Sequence, residues 1–167
     1  MALIRMDIQS IVVGAGPIAS VVVLKPRGDH ETSKLPIRIG SVEAASISMG
    51  VDGHKQTRPM THDLLQNVIA NLGASVTDMV INDVQGTTFF AQVRLKSESG
   101  ETVAVDARPS DALALCVRTH VPIYAESDVL DTAALPDFSA IERNEKEREA
   151  EAFHNFVEGL SPEDFSE

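Results

Sequence analysis

Asp106-Ala107-Arg108-Pro109-Ser110-Asp111-Ala112-Leu113-Ala114-Leu115 compresses a strand end, a rigid corner and a helix start into ten residues. Arg108 precedes a proline, which pushes its backbone toward extended geometry and away from helix. Ser110 is a residue type favoured as a helix N-cap. Asp111 puts a carboxylate at the positive end of the helix that Ala-Leu-Ala-Leu carries on to about Thr119. Upstream, Arg58-Pro59-Met60-Thr61-His62-Asp63-Leu64-Leu65 repeats the order: Arg-Pro, a hydroxyl, then an acid in the first turn. Two such corners in one small chain predict a repeated architectural unit.

Outward from these corners the chain reads mostly as strands. Residues 3–13 alternate Ile4, Met6 and Ile8 with Arg5, Asp7 and Gln9, and the Gly14-Ala15-Gly16-Pro17 turn leads to a return strand over Ala19–Lys25. Arg27–Lys34, with His30, reads as a polar loop. Leu35–Gly40 is a third strand, with Pro36 placing it at an edge or a strand start. Ser41 is expected to cap a short helix over Val42–Met49, stopped by Gly50. Glu43 in its first turn is read as a helix-dipole carboxylate; the functional alternative is a site acid beside a strand end. From Thr61, a helix carries Leu64, Leu65, Val68, Ile69 and Leu72 on one face and stops at Gly73.

Strands follow over about 75–84 and 87–97, joined through Gln85-Gly86, then over 102–106 and 122–125. In the second, Phe89, Ala91, Val93 and Leu95 alternate with Phe90, Gln92, Arg94 and Lys96, as in a sheet with one wet face.

At 167 residues, with 43% apolar composition, the chain holds one domain and a tail. It has no tryptophan and one tyrosine, which predicts an aliphatic core with Phe89, Phe90 and Tyr124 as its large members. A lone cysteine, Cys116, fits a reducing cytoplasm and reads as a buried inert thiol. The start lacks the features of a signal peptide, and the apolar region Ser10–Leu24 is too short and broken to span a bilayer. A soluble cytoplasmic protein with no membrane partner is expected.

The formal charge of −11 is unevenly placed: residues 126–167 hold 13 acids and 3 bases, and residues 1–125 hold 12 acids and 11 bases. The body is therefore nearly neutral and shows no basic run, which counts against tight nonspecific DNA binding unless scattered arginines converge in space. In the tail, Ser139 and Glu142 form a capping-box pattern, Glu142–Glu151 is almost wholly charged, and Phe153, Phe156, Val157 and Leu160 form an apolar stripe. An acidic helical arm is expected, with its apolar end docking on the domain or on a protein partner.

Four blocks, in order and in spacing, resemble those of the bifunctional nuclease (BFN) domain family. They are Leu35–Gly40 with Glu43-Ala44, Arg58–Leu65, Asp106–Leu115, and Val121-Pro122-Ile123-Tyr124. The resemblance covers about residues 3–130. It implies an α+β fold with a mixed, largely antiparallel sheet and packed helices over residues 1–130; the charge and patterning of residues 131–167 read separately as an acidic helical extension. It also implies self-association, as a homodimer, and cleavage of both DNA and RNA.

The reacting residues are argued from their chemistry. Phosphodiester hydrolysis needs an activated water and neutralisation of charge growing on the phosphate. Mg²⁺ or Mn²⁺ held by Asp63, Asp106 and Asp111 would supply both, arginines Arg58 and Arg108 would supply the second, and His62 is the general-base candidate. If the two Arg-Pro corners face each other, these groups share one cleft. The competing reading makes Arg58 with Asp63, and Arg108 with Asp106 or Asp111, ion pairs that lock the corners. The protein would then be a non-catalytic interaction or regulatory module. Converging carboxylates would favour the first; carboxylates each held by an arginine would favour the second.

Overall fold

The computed structural model describes residues 2–15, 17–28, 33–53 and 57–136, with Glu147, Arg148, Ala150, Glu151 and His154. Strands β1 (Leu3–Val12), β2 (Ser20–Pro26) and β3 (Ser33–Ile39) form an antiparallel meander, followed by helices α1 (Ser41–Val51) and α2 (Thr61–Asn71). Strands β4 (Ala74–Gln85), β5 (Thr88–Ser97) and β6 (Thr102–Ala107) make a second antiparallel meander. Helix α3 (Pro109–Thr119), strand β7 (Ile123–Glu126), helix α4 (Ser127–Ala133) and the two-residue β8 (Leu135–Pro136) complete the fold.

The two meanders are joined by β7, giving one eight-stranded sheet in the order β6-β5-β4-β7-β1-β2-β3-β8. Strand β7 runs parallel to β4 and antiparallel to β1. The expected α+β class with a mixed, largely antiparallel sheet is therefore what the chain adopts.

Helix α3 is the centre of the packing. Its residues Ala112 to Cys116 are all buried, and they join Met6, Val22, Leu24, Leu35, Ile37, Ile47, Met79 and Ile81 in one core. Close packing of α1 on α3 depends on Gly50, where a Cβ would collide with the Val117 side chain. The helix ends at His120, which takes the left-handed conformation (φ 55°), while Val121 N–H donates to the Cys116 carbonyl.

Several local expectations need correcting. Phe89, Phe90 and Tyr124 are only half-buried, and the largest fully buried side chains are Met6, Leu24, Leu35, Ile47 and Met79. The hydroxyl residues at the helix starts are not caps. Gly40, Met60 and Arg108 hold the N-cap positions, so Ser41 and Thr61 begin their helices and Ser110 is already inside α3. In α3 the cause is Pro109, whose fixed φ suits the first helical position.

Beyond Glu126, α4 buries Val129 and Leu130 against the core and β8 pairs with β3, so packed structure continues to Pro136. The capping pattern at Ser139 and Glu142, the stripe Phe153, Phe156, Val157 and Leu160, and His30 lie outside the described residues. No helix among the described residues is long and apolar enough to cross a membrane.

Candidate functional site

The two Arg-Pro corners meet through His62 and Asp111. Helix α2 carries His62 at its second residue, and α3 carries Asp111 at its third. His62 Nε2 lies 3.1 Å from Asp111 Oδ1, and His62 Nδ1 lies 2.9 Å from the Ser46 hydroxyl of α1. Arg108 turns back over its own helix start: Nε and Nη2 donate to the two Asp111 oxygens at 2.7 and 3.1 Å. Its Nη1 donates to Glu43 Oε1 at 3.0 Å. Glu43 has room to reach it because Gly40 has no side chain; a Cβ there would strike the carboxylate.

Ser46, His62, Asp111, Arg108 and Glu43 thus form one hydrogen-bonded chain across three helix starts. They line a cleft of about 510 Å³, while His62 and Asp111 also line a more apolar neighbour of about 450 Å³ between α2, β5, β6 and α3. Exposure grades along the chain: the His62 side chain is 13% exposed, Asp111 33% and Arg108 66%. The arginine is the member that solvent or a ligand meets first. Burial alone would push the Asp111 carboxyl up, but hydrogen bonds from Arg108 and His62 outweigh it and hold the group below the usual carboxylate range.

Asp63 belongs to a different construction. Its Oδ2 accepts the Met60 N–H at 2.9 Å and its Oδ1 accepts Arg118 Nε at 2.6 Å, and these bonds hold its carboxyl low. Arg118 is only 7% exposed, and its Nη1 also donates to the carbonyls of Ser46 and Ala114 at 3.0 and 2.7 Å. One guanidinium therefore ties α1, α2 and α3 together directly beneath the His62 position. The expected Arg58–Asp63 pair is replaced by Arg118–Asp63, and Arg58 stands exposed ahead of α2. Asp106 is exposed at the end of β6 and reaches the apolar cleft beside Asp111. The Arg108–Asp111 pair forms as expected.

These positions bear on a metal. Asp63 is spent on Arg118 and a backbone N–H, and Asp111 on Arg108 and His62. Among the described residues no three His, Cys, Asp or Glu side chains stand close enough to hold an ion together. Asp63, Asp106 and Asp111 therefore do not fit a resident ion held by three protein ligands.

Sequence reasoning missed three partners. Glu43 reads in sequence first as a dipole carboxylate; its neighbour Gly40 is the signal that it can turn toward Arg108. Arg118, in the last turn of α3, reads locally as a dipole complement, yet it lies buried under α1 and α2. Ser46 carries no local signal, because its partner is 16 residues away on another helix.

Comparison with known proteins agrees with this architecture. The bifunctional nuclease domain family matches residues 22–137, a span that includes every residue of the network. Two curated proteins of Mycobacterium tuberculosis, uncharacterized protein MT1877 and uncharacterized protein Rv1829, are each 42% identical over 135 residues. That match covers 78% of this chain and 80% of each relative. The chain belongs to the bifunctional nuclease domain family.

Proposed function

We propose that the protein hydrolyses phosphodiester bonds in DNA and RNA, with Arg108, Asp111 and His62 as its reacting centre. Family membership supports nuclease-type activity in general. The observation that carries the assignment to these residues is the graded Arg108–Asp111–His62 chain at the mouth of a cleft.

In this reading Arg108 changes partners. A phosphate entering the cleft offers the guanidinium the same planar fork of oxygens that Asp111 now supplies. Once Arg108 engages the phosphate, Asp111 loses its nearest positive charge and becomes a better base, still held in place by His62. Asp111 takes a proton from water, the hydroxide oxygen bonds to phosphorus, and the P–O bond to the leaving strand breaks. Arg108 stabilises the charge on the phosphoryl oxygens, and solvent at the open face protonates the leaving oxygen. Arg58, exposed at the neighbouring corner, is assigned a further phosphate contact.

Mg²⁺ or Mn²⁺ is assigned to the substrate rather than to a protein cage, since Mg²⁺ keeps several waters and binds through one or two carboxylates plus substrate phosphates. When bound it neutralises phosphate charge. The protein is further proposed to work in the cytoplasm as a homodimer. The test is cleavage of end-labelled DNA and RNA strands, with chelator or with either ion, by the wild type and by Arg108→Ala. Removal of Arg108 is expected to slow cleavage about 10²- to 10³-fold, the effect of losing one charge-stabilising donor. Equal rates would place the chemistry elsewhere.

A second reading, a non-catalytic module acting through a protein partner, is favoured by two observations. The carboxylates of Asp111 and Asp63 are each held by an arginine, Arg108 and Arg118, the arrangement expected of ion pairs that lock the corners. The apolar face of α2 is not covered: Leu64, Leu65, Val68 and Leu72 are all exposed, as are Val103 and Val105 on β6. An absence of cleavage under every condition, with protein retained on this face, would decide for it.

A further inference from the structure

A separate cleft of about 380 Å³ lies on the far side of Arg108, between β3, the β4–β5 turn and the start of α3. Its walls include Arg38, Thr87, Thr88, Phe89, Arg108 and Ser110, and no acidic residue. Ser110 is the telling member. It is 6% exposed, it lines the cleft, and its hydroxyl makes no hydrogen bond among the described residues. Its oxygen is not sealed from the surface either: among the described residues the buried side-chain atoms without a partner are Arg5 Nε and Asn82 Oδ1, so the Ser110 hydroxyl is unspent and open to a ligand. Because Pro109 moves the cap back to Arg108, Ser110 is freed from capping. Its own N–H is among the orphan donors of the first turn.

Cations complete the wall. Arg38, on β3, is exposed and has no ion pair among the described residues. Arg108 spends three of its five N–H donors on Asp111 and Glu43, which leaves two. The exposed hydroxyls of Thr87 and Thr88 stand opposite, and half-buried Phe89 offers an apolar surface. Two guanidiniums, unspent hydroxyls and a helix start with no carboxylate on the wall are the donor set for a phosphate ester.

We propose that this cleft binds a nucleotide phosphate. It is a second phosphate position on the side of Arg108 away from Asp111, so that a bound strand runs past Arg108 from one cleft to the other. The proposal rests on the nuclease reading for the identity of the strand, and the ligand chemistry stands without it. Two of the arginines scattered in the sequence, Arg38 and Arg108, thus line one cleft, although the body of the chain is nearly neutral.

The test is binding of a short single-stranded oligonucleotide, a mononucleotide and inorganic phosphate to the full chain in chelator, across a salt series. Wild type, Arg38→Gln and Ser110→Ala are compared, each first shown to keep its thermal midpoint. Arg38→Gln is expected to weaken oligonucleotide binding about tenfold and to flatten the salt dependence by about 0.7 in slope, the loss of one phosphate contact on a single strand. Ser110→Ala is expected to weaken it about threefold with the slope unchanged, as for one neutral hydrogen bond. Mononucleotide binding that shows the same losses assigns the site to a terminal or free phosphate; losses confined to the oligonucleotide assign it to a strand.

Wild-type affinity and slope in the folded Arg38→Gln protein would overturn the proposal. Cleavage separates the two readings. A raised KM with unchanged kcat in Arg38→Gln supports both. Weakened binding with no cleavage by any variant keeps this cleft and sinks the nuclease reading. Cleavage with unchanged binding and KM does the reverse.

Discussion

His62 Nε2 lies 3.1 Å from Asp111 Oδ1, so two corners 49 residues apart in sequence share one hydrogen bond. The geometry around them divides the acids into two roles. Asp111 faces a cleft and an exposed arginine, while Asp63 is held under the helices by a buried one.

Asp63→Ala leaves Arg118 almost fully buried, with two carbonyls and no counter-charge. Loss of one partner from a buried pair costs about 3–5 kcal/mol, and the lower end is expected because Asp63 is itself one-third exposed. Denaturant unfolding measures this directly. A loss under about 1 kcal/mol, the size of a surface pair, would show that Arg118 does not carry the three-helix junction.

Acid should weaken the protein through these same groups. Asp63 and Asp111 both have carboxyls held below the ordinary aspartate value, which is about 3.9 in unfolded chains. Each contributes stability that is present above that value and is lost as pH falls through the lower folded value. The stability gap between wild type and Asp63→Asn should therefore be widest near neutrality and narrow steadily below pH of about 4. A gap constant from pH 7 to pH 2 would contradict the assignment.

Cys116 is buried, and burial, then the charge of Asp78, pushes its thiol up to about 12. Native protein is expected to resist thiol reagents at neutral pH and to react fully once unfolded. Fast labelling of the native state would mean that α3 opens far more readily than its packing allows.

Self-association is expected through the uncovered faces of α2 and β6. Leu64→Glu with Val68→Glu should convert a dimer to a monomer in sedimentation, without loss of helical signal. A wild-type monomer at micromolar concentration, or a variant that stays dimeric, would remove this face from the account.

Much of the fold was legible because strand alternation and Gly or Pro punctuation are local. The hairpins β1–β2 and β4–β5 and all three longer helices stand close to where the pattern puts them. What stayed hidden depends on long-range approach. The parallel β4–β7 pairing joins two meanders, and the short α4 has too few residues for periodicity to show. At the site, Asp111, His62 and Arg108 were identified from residue type beside a corner. Their further partners Ser46 and Glu43 come from α1, and Arg118, the partner of Asp63, from the far end of α3, which only packing brings near.

The central claim is that Asp111 reacts and Asp63 only holds the frame. Single-turnover cleavage by folded Asp111→Asn and folded Asp63→Asn, each at a temperature well below its own unfolding, tests it most directly. The account predicts that Asp111→Asn loses cleavage about 10²-fold or more while Asp63→Asn cleaves at close to the wild-type rate and melts earlier. Equal losses in both, or undiminished cleavage by Asp111→Asn, would contradict it.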